Sequence, residues 1–161
     1  MVLLVLKILF LLLLANGAPV LAKKLAGPRL AFPVDAGKVI FDGRPLFGSS
    51  KTIRGIVVSV MFTAIGAALI GFTWQMGVLF GAAAMGGDLV SSFIKRRLGM
   101  PPSSMAIGLD QIPESLLPML ICWQALGLNI STALVVVVAF FIGELALSKL
   151  LFRLHVRDRP Y

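Results

Sequence analysis

Two clusters in this 161-residue chain combine residue types and spacings that could do chemistry. The first is Gly86-Gly87-Asp88-Leu89-Val90-Ser91-Ser92-Phe93-Ile94-Lys95-Arg96-Arg97-Leu98-Gly99, which begins inside an apolar run. On a helix, Asp88, Ser91, Ser92 and Lys95 follow the i, i+3, i+4, i+7 pattern, so one face offers an acid, two hydroxyls and a cation. An acid is expensive to hold in an apolar span, which makes Asp88 a functional candidate. The plain alternative is a pairing with Lys95, which two helical turns make long for direct contact. A proline- and serine-containing connector, Met100–Gln111, then ends in Asp110. Asp110 either caps the next helix beside Pro113 or returns to the Asp88 end to share a metal ion. Two aspartates flanked by a Lys/Arg run suit a divalent ion that holds a polyphosphate, with hard oxygen ligands for Mg²⁺ and cations for phosphate charge.

The second cluster contains Asp35-Ala36-Gly37-Lys38 and then Asp42-Gly43-Arg44-Pro45-Leu46-Phe47-Gly48-Ser49-Ser50-Lys51-Thr52. Glycines at 43 and 48 let backbone approach a ligand, while Arg44, the serines, Lys51 and Thr52 supply phosphate donors. Gly48-Ser49-Ser50-Lys51-Thr52 has the wrong spacing for a Walker A loop and follows no strand, so a P-loop is rejected. The bland reading is a basic amphipathic loop lying on anionic headgroups.

The elements that hold these clusters are set by composition. With 58% hydrophobic and 14% charged residues, the chain has too little charge to wet a soluble surface. Mean hydropathy of +0.98 agrees. One membrane domain, residues 1–161, is expected, with no room for a soluble one. The lone Cys122 cannot form an intramolecular disulfide and reads as buried filler. The net charge of +8 has no basic module to carry nucleic acid, so it must face anionic headgroups, a nucleotide, or both.

Five apolar stretches have the length for spans: about Val2–Ala22, Ile53–Phe72, Met76–Ile94, Ile112–Leu126 and Ile130–Phe152. Pro118 is expected to kink the fourth. The first could be a secretory signal, but no basic segment precedes it and Lys23-Lys24 follow it, which favours a retained helix. The connections Thr73-Trp74-Gln75 and Gly127-Leu128-Asn129 carry no charge. Lys23, Lys24, Arg29, Lys38, Arg44, Lys51, Arg54, Lys95, Arg96, Arg97, Arg153, Arg157 and Arg159 all fall in the other connections and the tail, and Lys149 can snorkel to them. Only Lys7 falls elsewhere. The positive-inside rule then predicts an all-α multi-pass membrane protein with five transmembrane helices, N-terminus outside and C-terminus cytoplasmic. Residues 23–52 and 95–111 become two functional cytoplasmic loops. Trp74 and Trp123 fall where an outer aromatic belt would sit. Glu144, mid-span, is either paired to a neighbouring helix or part of a polar cavity, and His155 in the tail touches solvent or headgroups.

Gly87-Asp88-Leu89…Ser92…Lys95-Arg96, followed by Leu109-Asp110-Gln111, resembles the signature region of the CTP-dependent CDP-diacylglycerol synthases. The length, the five spans and Asp42-Gly43-Arg44…Gly48…Lys51-Thr52 are more similar to their smaller archaeal branch, the CDP-archaeol synthases. The larger enzymes carry Lys-Asp where this chain has Pro101-Pro102, and Asp-Arg-x-Asp where it has Asp110-Gln111-Ile112-Pro113. The resemblance implies transfer of a cytidylyl group from CTP to an isoprenoid ether-lipid phosphate, releasing pyrophosphate, at the cytoplasmic side of the cell membrane. It also implies Mg²⁺ on Asp88 and Asp110, with Lys95 and Arg96 beside them as catalytic groups. Asp42, Arg44, Phe47, Gly48, Ser49, Lys51, Thr52 and Ser92 are assigned to CTP, with Phe47 as the cytosine stacker and Lys51 on phosphate. Two rival readings are a small transporter or channel subunit and a CDP-alcohol phosphotransferase. The first has no use for two long polar loops, and the Asp-Gly-x-x-Ala-Arg pattern of the second is missing.

Overall fold

The structure, a computed structural model, describes residues 1–153; His155, Arg157 and Arg159 lie outside the described residues. The described chain is helical: α1 (Val2–Ala26), α2 (Ile53–Leu69), α3 (Trp74–Arg97), α4 (Gln111–Ile121), α5 (Trp123–Leu126) and α6 (Ile130–Arg153). The only β pairing among the described residues is two isolated bridges, Pro33 with Thr52 and Val39 with Pro45. Three helices are long and apolar enough to cross a membrane: Val2–Ala26, Trp74–Arg97 and Ile130–Leu150. The second expected span is a shorter apolar helix of 17 residues.

The fourth expected span is not one helix. Pro118 has no N–H to close the turn behind it, and the helix stops at Cys122, whose N–H bonds the Pro118 carbonyl at 2.9 Å. A single turn, α5, then ends on Gly127 in the left-handed conformation. The first span differs too: α1 continues past Lys23-Lys24 to Ala26, so both lysines stand on helix.

Local chemistry fixes the helix starts. Thr52 Oγ1 accepts the Gly55 N–H at 3.1 Å, Thr73 Oγ1 the Met76 N–H at 3.3 Å, and Asn129 Oδ1 the Thr132 N–H at 2.8 Å. Asp110 precedes α4 but makes no capping bond, which leaves its carboxylate for other partners.

The core forms where α1 and α3 bury one face each, through Ile8, Leu11, Leu12 and Phe80, against Ala67, Met119 and Val136. Ser59 supplements this by donating to the Ala15 carbonyl across the α1–α2 contact at 2.8 Å. Outward-facing Met61, Phe62 and Ile65 on α2, and Leu134, Val138 and Ile142 on α6, are exposed apolar side chains, as a lipid-facing surface requires. The tightest approach joins α3 to α4. A Cβ on Gly87 would stand 2.2 Å from the Pro113 carbonyl oxygen and 2.8 Å from the Glu114 nitrogen. That contact sets Asp88 and the start of α4 side by side.

Candidate functional site

A cavity of about 1030 Å³ opens at the end of the bundle where α1 and α3 finish and α2 and α4 begin. One stripe of α1 lines it, Asn16, Pro19, Val20, Lys23 and Lys24, at helical spacing. Ser49, Ser50, Lys51 and Thr52 come from the first long loop and Asp88, Leu89 and Lys95 from α3. Ser103, Ser104 and Asp110 come from the second loop, Gln111 and Glu114 from α4, and Glu144 and Ser148 from α6.

The plain alternative, an Asp88–Lys95 pairing, is not made; two crossed pairs stand in its place. Asp88 holds Lys51 of the first loop, with Nζ 2.5 and 2.6 Å from its two oxygens. Lys95 instead holds Asp110 at 2.5 Å and donates to the Ser104 carbonyl at 3.0 Å. The second Asp110 oxygen accepts the Ala106 N–H at 2.9 Å. So α3 ties one functional loop with its acid and the other with its cation. Burial pushes the Lys51 ammonium toward neutrality, but the facing carboxylates of Asp88, Glu114 and Asp110 outweigh this and hold its pKa above the ordinary lysine value. Glu114, buried one helical turn beyond Asp110, lines the same cavity as Asp88.

Ser91 and Ser92 do not line the cavity. Ser91 donates to the Asp88 carbonyl within its own helix at 3.0 Å, while the buried Ser92 hydroxyl has no partner in the structure. Arg96 is 3% exposed, donates to the Pro101 carbonyl at 2.9 Å, and has two buried guanidinium nitrogens without a partner. A buried guanidinium with unmet N–H groups beside a loop of phosphate-binding composition is suited to an anion.

Asp42 and Arg44 lie apart from the cavity, in a reciprocal latch. Arg44 donates to the Arg97 carbonyl at 2.5 Å and the Arg96 carbonyl at 3.4 Å, satisfying the end of α3. Arg97 in turn reaches Asp42 at 2.5 Å and the Pro45 carbonyl at 2.5 Å, and its guanidinium lies over the Phe93 ring. Phe47 and Gly48 are also outside the lining, and their N–H groups point at Asp35, 2.9 and 2.8 Å from Oδ2. This loop is therefore not a backbone cradle for phosphate. Gly48 sits at φ +94° with its α-carbon against Arg96 and Pro102, where a Cβ would come 3.3–3.4 Å from both.

Two residues without a sequence assignment belong to this arrangement. Asp35 is 5% exposed and also accepts the Gly37 N–H at 3.0 Å. Desolvation raises its pKa, but the N–H groups of Gly48, Phe47 and Gly37 together hold the carboxyl below its ordinary value. The Asp35-Ala36-Gly37 sequence has the form of an Asx-turn, a signal that was available. For Glu114 the signal was its i+4 spacing from Asp110 on a predicted helix.

The fold and cavity define a helical intramembrane protein with a charged site at one end of its bundle. The chain matches the family described as CarS-like: CDP-archaeol synthase over residues 1–75 and 64–161. It is 34% identical over 155 residues to a CDP-archaeol synthase of Sulfurisphaera tokodaii, covering 92% of this chain and 90% of that protein. A CDP-archaeol synthase of Pyrobaculum calidifontis is 32% identical over 156 residues, covering 91% and 90%. Among solved structures, one described as "Structural insight into an intramembrane enzyme for archaeal membrane lipids biosynthesis" superposes with a TM-score of 0.68 at 29% identity, over 86% of this chain and 90% of that one. The chain belongs to the CarS-like family of CDP-archaeol synthases.

Proposed function

We propose that this protein is a CTP:lipid-phosphate cytidylyltransferase that makes a CDP-activated isoprenoid ether lipid and pyrophosphate. Beside the family, the observation that carries this reading is the pair of crossed ion pairs, Lys51–Asp88 and Lys95–Asp110, facing one cavity. The lipid phosphate is already an anionic nucleophile, so no serine, cysteine or dedicated base is required. Its oxygen attacks the α-phosphorus of CTP, and the bond from that phosphorus to the bridging oxygen of the β-phosphate breaks. What the site must supply is positioning and charge neutralisation. Lys51 and Lys95 would hold phosphate oxygens; Arg96, outside the cavity lining, carries unmet N–H groups beside the Gly48 turn.

The charge ledger of the cavity argues for a divalent cation. Lys23, Lys24, Lys51 and Lys95 are formally balanced by Asp88, Asp110, Glu114 and Glu144. Such a wall cannot by itself neutralise a triphosphate and a second phosphate. Among the described residues there is no ligating group of three or more His, Cys, Asp or Glu. Mg²⁺ needs only one or two carboxylates when phosphates and waters complete its shell, so Asp88 and Asp110 fit an ion that arrives on CTP. When bound, it would supply charge neutralisation at the transferring phosphoryl group. The α1 stripe from Asn16 to Lys24 is the wall along which a lipid phosphate would approach from the bilayer.

Labelled CTP, lipid phosphate and Mg²⁺ with the purified chain test the reading: CDP-lipid and pyrophosphate should form in equal amounts. Absence of both products would remove it. In the same assay Lys51→Ala should raise the CTP KM by about tenfold, the worth of one charge-assisted contact. An unchanged CTP dependence would place the nucleotide phosphates elsewhere.

Five crossings are part of this proposal, with the N-terminus outside and the cavity cytoplasmic. Support comes from the uncharged connections and from four apolar helices plus the α4–α5 pair. Because Cys122 is 1% exposed, single cysteines can be read against a low background. Gln75→Cys should react with an impermeant maleimide in intact cells, and Lys38→Cys only after permeabilisation. The reverse pattern would invert the topology.

A further inference from the structure

We propose that Asp35 is a positioning residue of the transfer reaction, acting through the turn that delivers Lys51 to Asp88. This rests on the cytidylyltransferase reading and adds a residue to it. Asp35 does not line the cavity, yet its carboxylate collects three backbone N–H groups, from Gly37, Phe47 and Gly48. The last two open the segment Ser49-Ser50-Lys51-Thr52 that does line it. The neighbouring Val34 N–H bonds the Lys51 carbonyl at 2.8 Å, and the Lys51 N–H bonds the Gly48 carbonyl at 3.1 Å. Asp35 and Val34 therefore grip the Gly48–Lys51 turn at both ends.

Two further features show that this grip sets position and is not filler. Ala36 adopts a positive φ of +48°, a costly conformation for a residue with a Cβ, and the neighbouring Asp35–Gly37 bond compensates. The Gly48 held by Asp35 also packs against the Arg96 guanidinium, 3.4 Å from the position a Cβ would take. The carboxylate thus sets Lys51 through the turn, and the Gly48 it holds packs beside Arg96. A charged acceptor of three N–H groups has no equal substitute, because an amide offers one oxygen and turns two donors toward the others.

The test uses the full-length purified protein with CTP and lipid phosphate varied separately. Asp35→Asn should lower kcat/KM for CTP by about fivefold, a loss no larger than that of Lys51→Ala because Asp35 acts through Lys51. The lipid-phosphate KM should stay unchanged. The double variant Asp35→Asn/Lys51→Ala should be no more than about twofold worse than Lys51→Ala alone, because the two act on one interaction. Multiplicative losses, an equal rise in lipid KM, or unaltered kinetics would each overturn the proposal. Should Asp35→Asn fail to insert and fold, Asp35→Ser is read by the same split. Failure of both to fold also overturns it, because a residue acting through Lys51 leaves the helices assembled. Wild-type turnover in the same assay separates these outcomes from a failure of the cytidylyltransferase reading.

Discussion

Asp88→Asn should lower cytidylyl transfer by about a hundredfold to a thousandfold, the range for losing a preorganised electrostatic group at a reacting centre. The substitution keeps the side-chain shape but removes the charge and turns one acceptor into a donor facing Lys51. Lys51 would lose the carboxylate that fixes it through both oxygens. One of the two carboxylates able to meet Mg²⁺ would also be gone. Purified variant and wild type, compared at saturating CTP and lipid phosphate, give the answer directly. Asp110→Asn should behave alike, since Lys95 depends on it as Lys51 depends on Asp88. Turnover within about threefold of wild type would show that Asp88 only pairs Lys51, a loss too small for a group at the reacting phosphorus.

Gly87→Ala should be the most damaging single methyl group in the chain. Its Cβ would stand 2.2 Å from the Pro113 oxygen, 2.5 Å from the Pro113 carbonyl carbon and 2.8 Å from the Glu114 nitrogen. All three are backbone atoms, so no rotamer change relieves the contact, and α4 must move. Overpacking of this kind costs about 1–3 kcal/mol, and more where backbone must shift. Because Asp88 follows Gly87 and Glu114 follows Pro113, the displacement separates the very groups that meet at the site. Thermal unfolding in detergent should show a lowered midpoint, and residual activity should fall even at temperatures where the variant is folded. Gly86→Ala is the control: its Cβ meets only a flexible Leu117 methyl at 3.4 Å. Equal stability of the two variants would contradict the packing argument.

Much of this could be read from the sequence because a bilayer imposes strong rules. Long apolar runs located α1, α2, α3 and α6 to within a few residues, and Asp88, Lys95, Asp110 and Lys51 do meet in one cavity. Pro118 was expected to bend a helix, and the helix breaks at Cys122. Pairing was harder to read. Asp88 and Lys95 share a helix face, but each finds its partner on another segment, and no periodicity rule reports a long-range choice. The first loop was harder still. Its composition indicated phosphate chemistry, whereas its geometry divides the labour: Ser49 to Thr52 face the cavity, Asp42 and Arg44 close a latch, and the Phe47 and Gly48 amides serve Asp35. Asp35 stayed unassigned because the Phe47 and Gly48 N–H groups that it accepts reach it only in the folded loop.

The lengths of the helices carry a consequence for the surrounding bilayer. Lys7 sits with its ammonium 5.1 Å from the centre of the Phe72 ring, just past the end of α2. The apolar height of the protein on that flank is therefore set by the 17 residues of α2, about 25 Å at 1.5 Å per residue. That is a few ångströms less than the roughly 30 Å of a typical hydrocarbon layer. On the α6 flank, the 21-residue apolar span Ile130–Leu150 reaches about 32 Å. Lipids must thin along α2, while the α6 flank nearly matches the layer. The molecule is a wedge in an elastic sheet, and reconstitution in lipids of graded chain length should therefore tune its turnover.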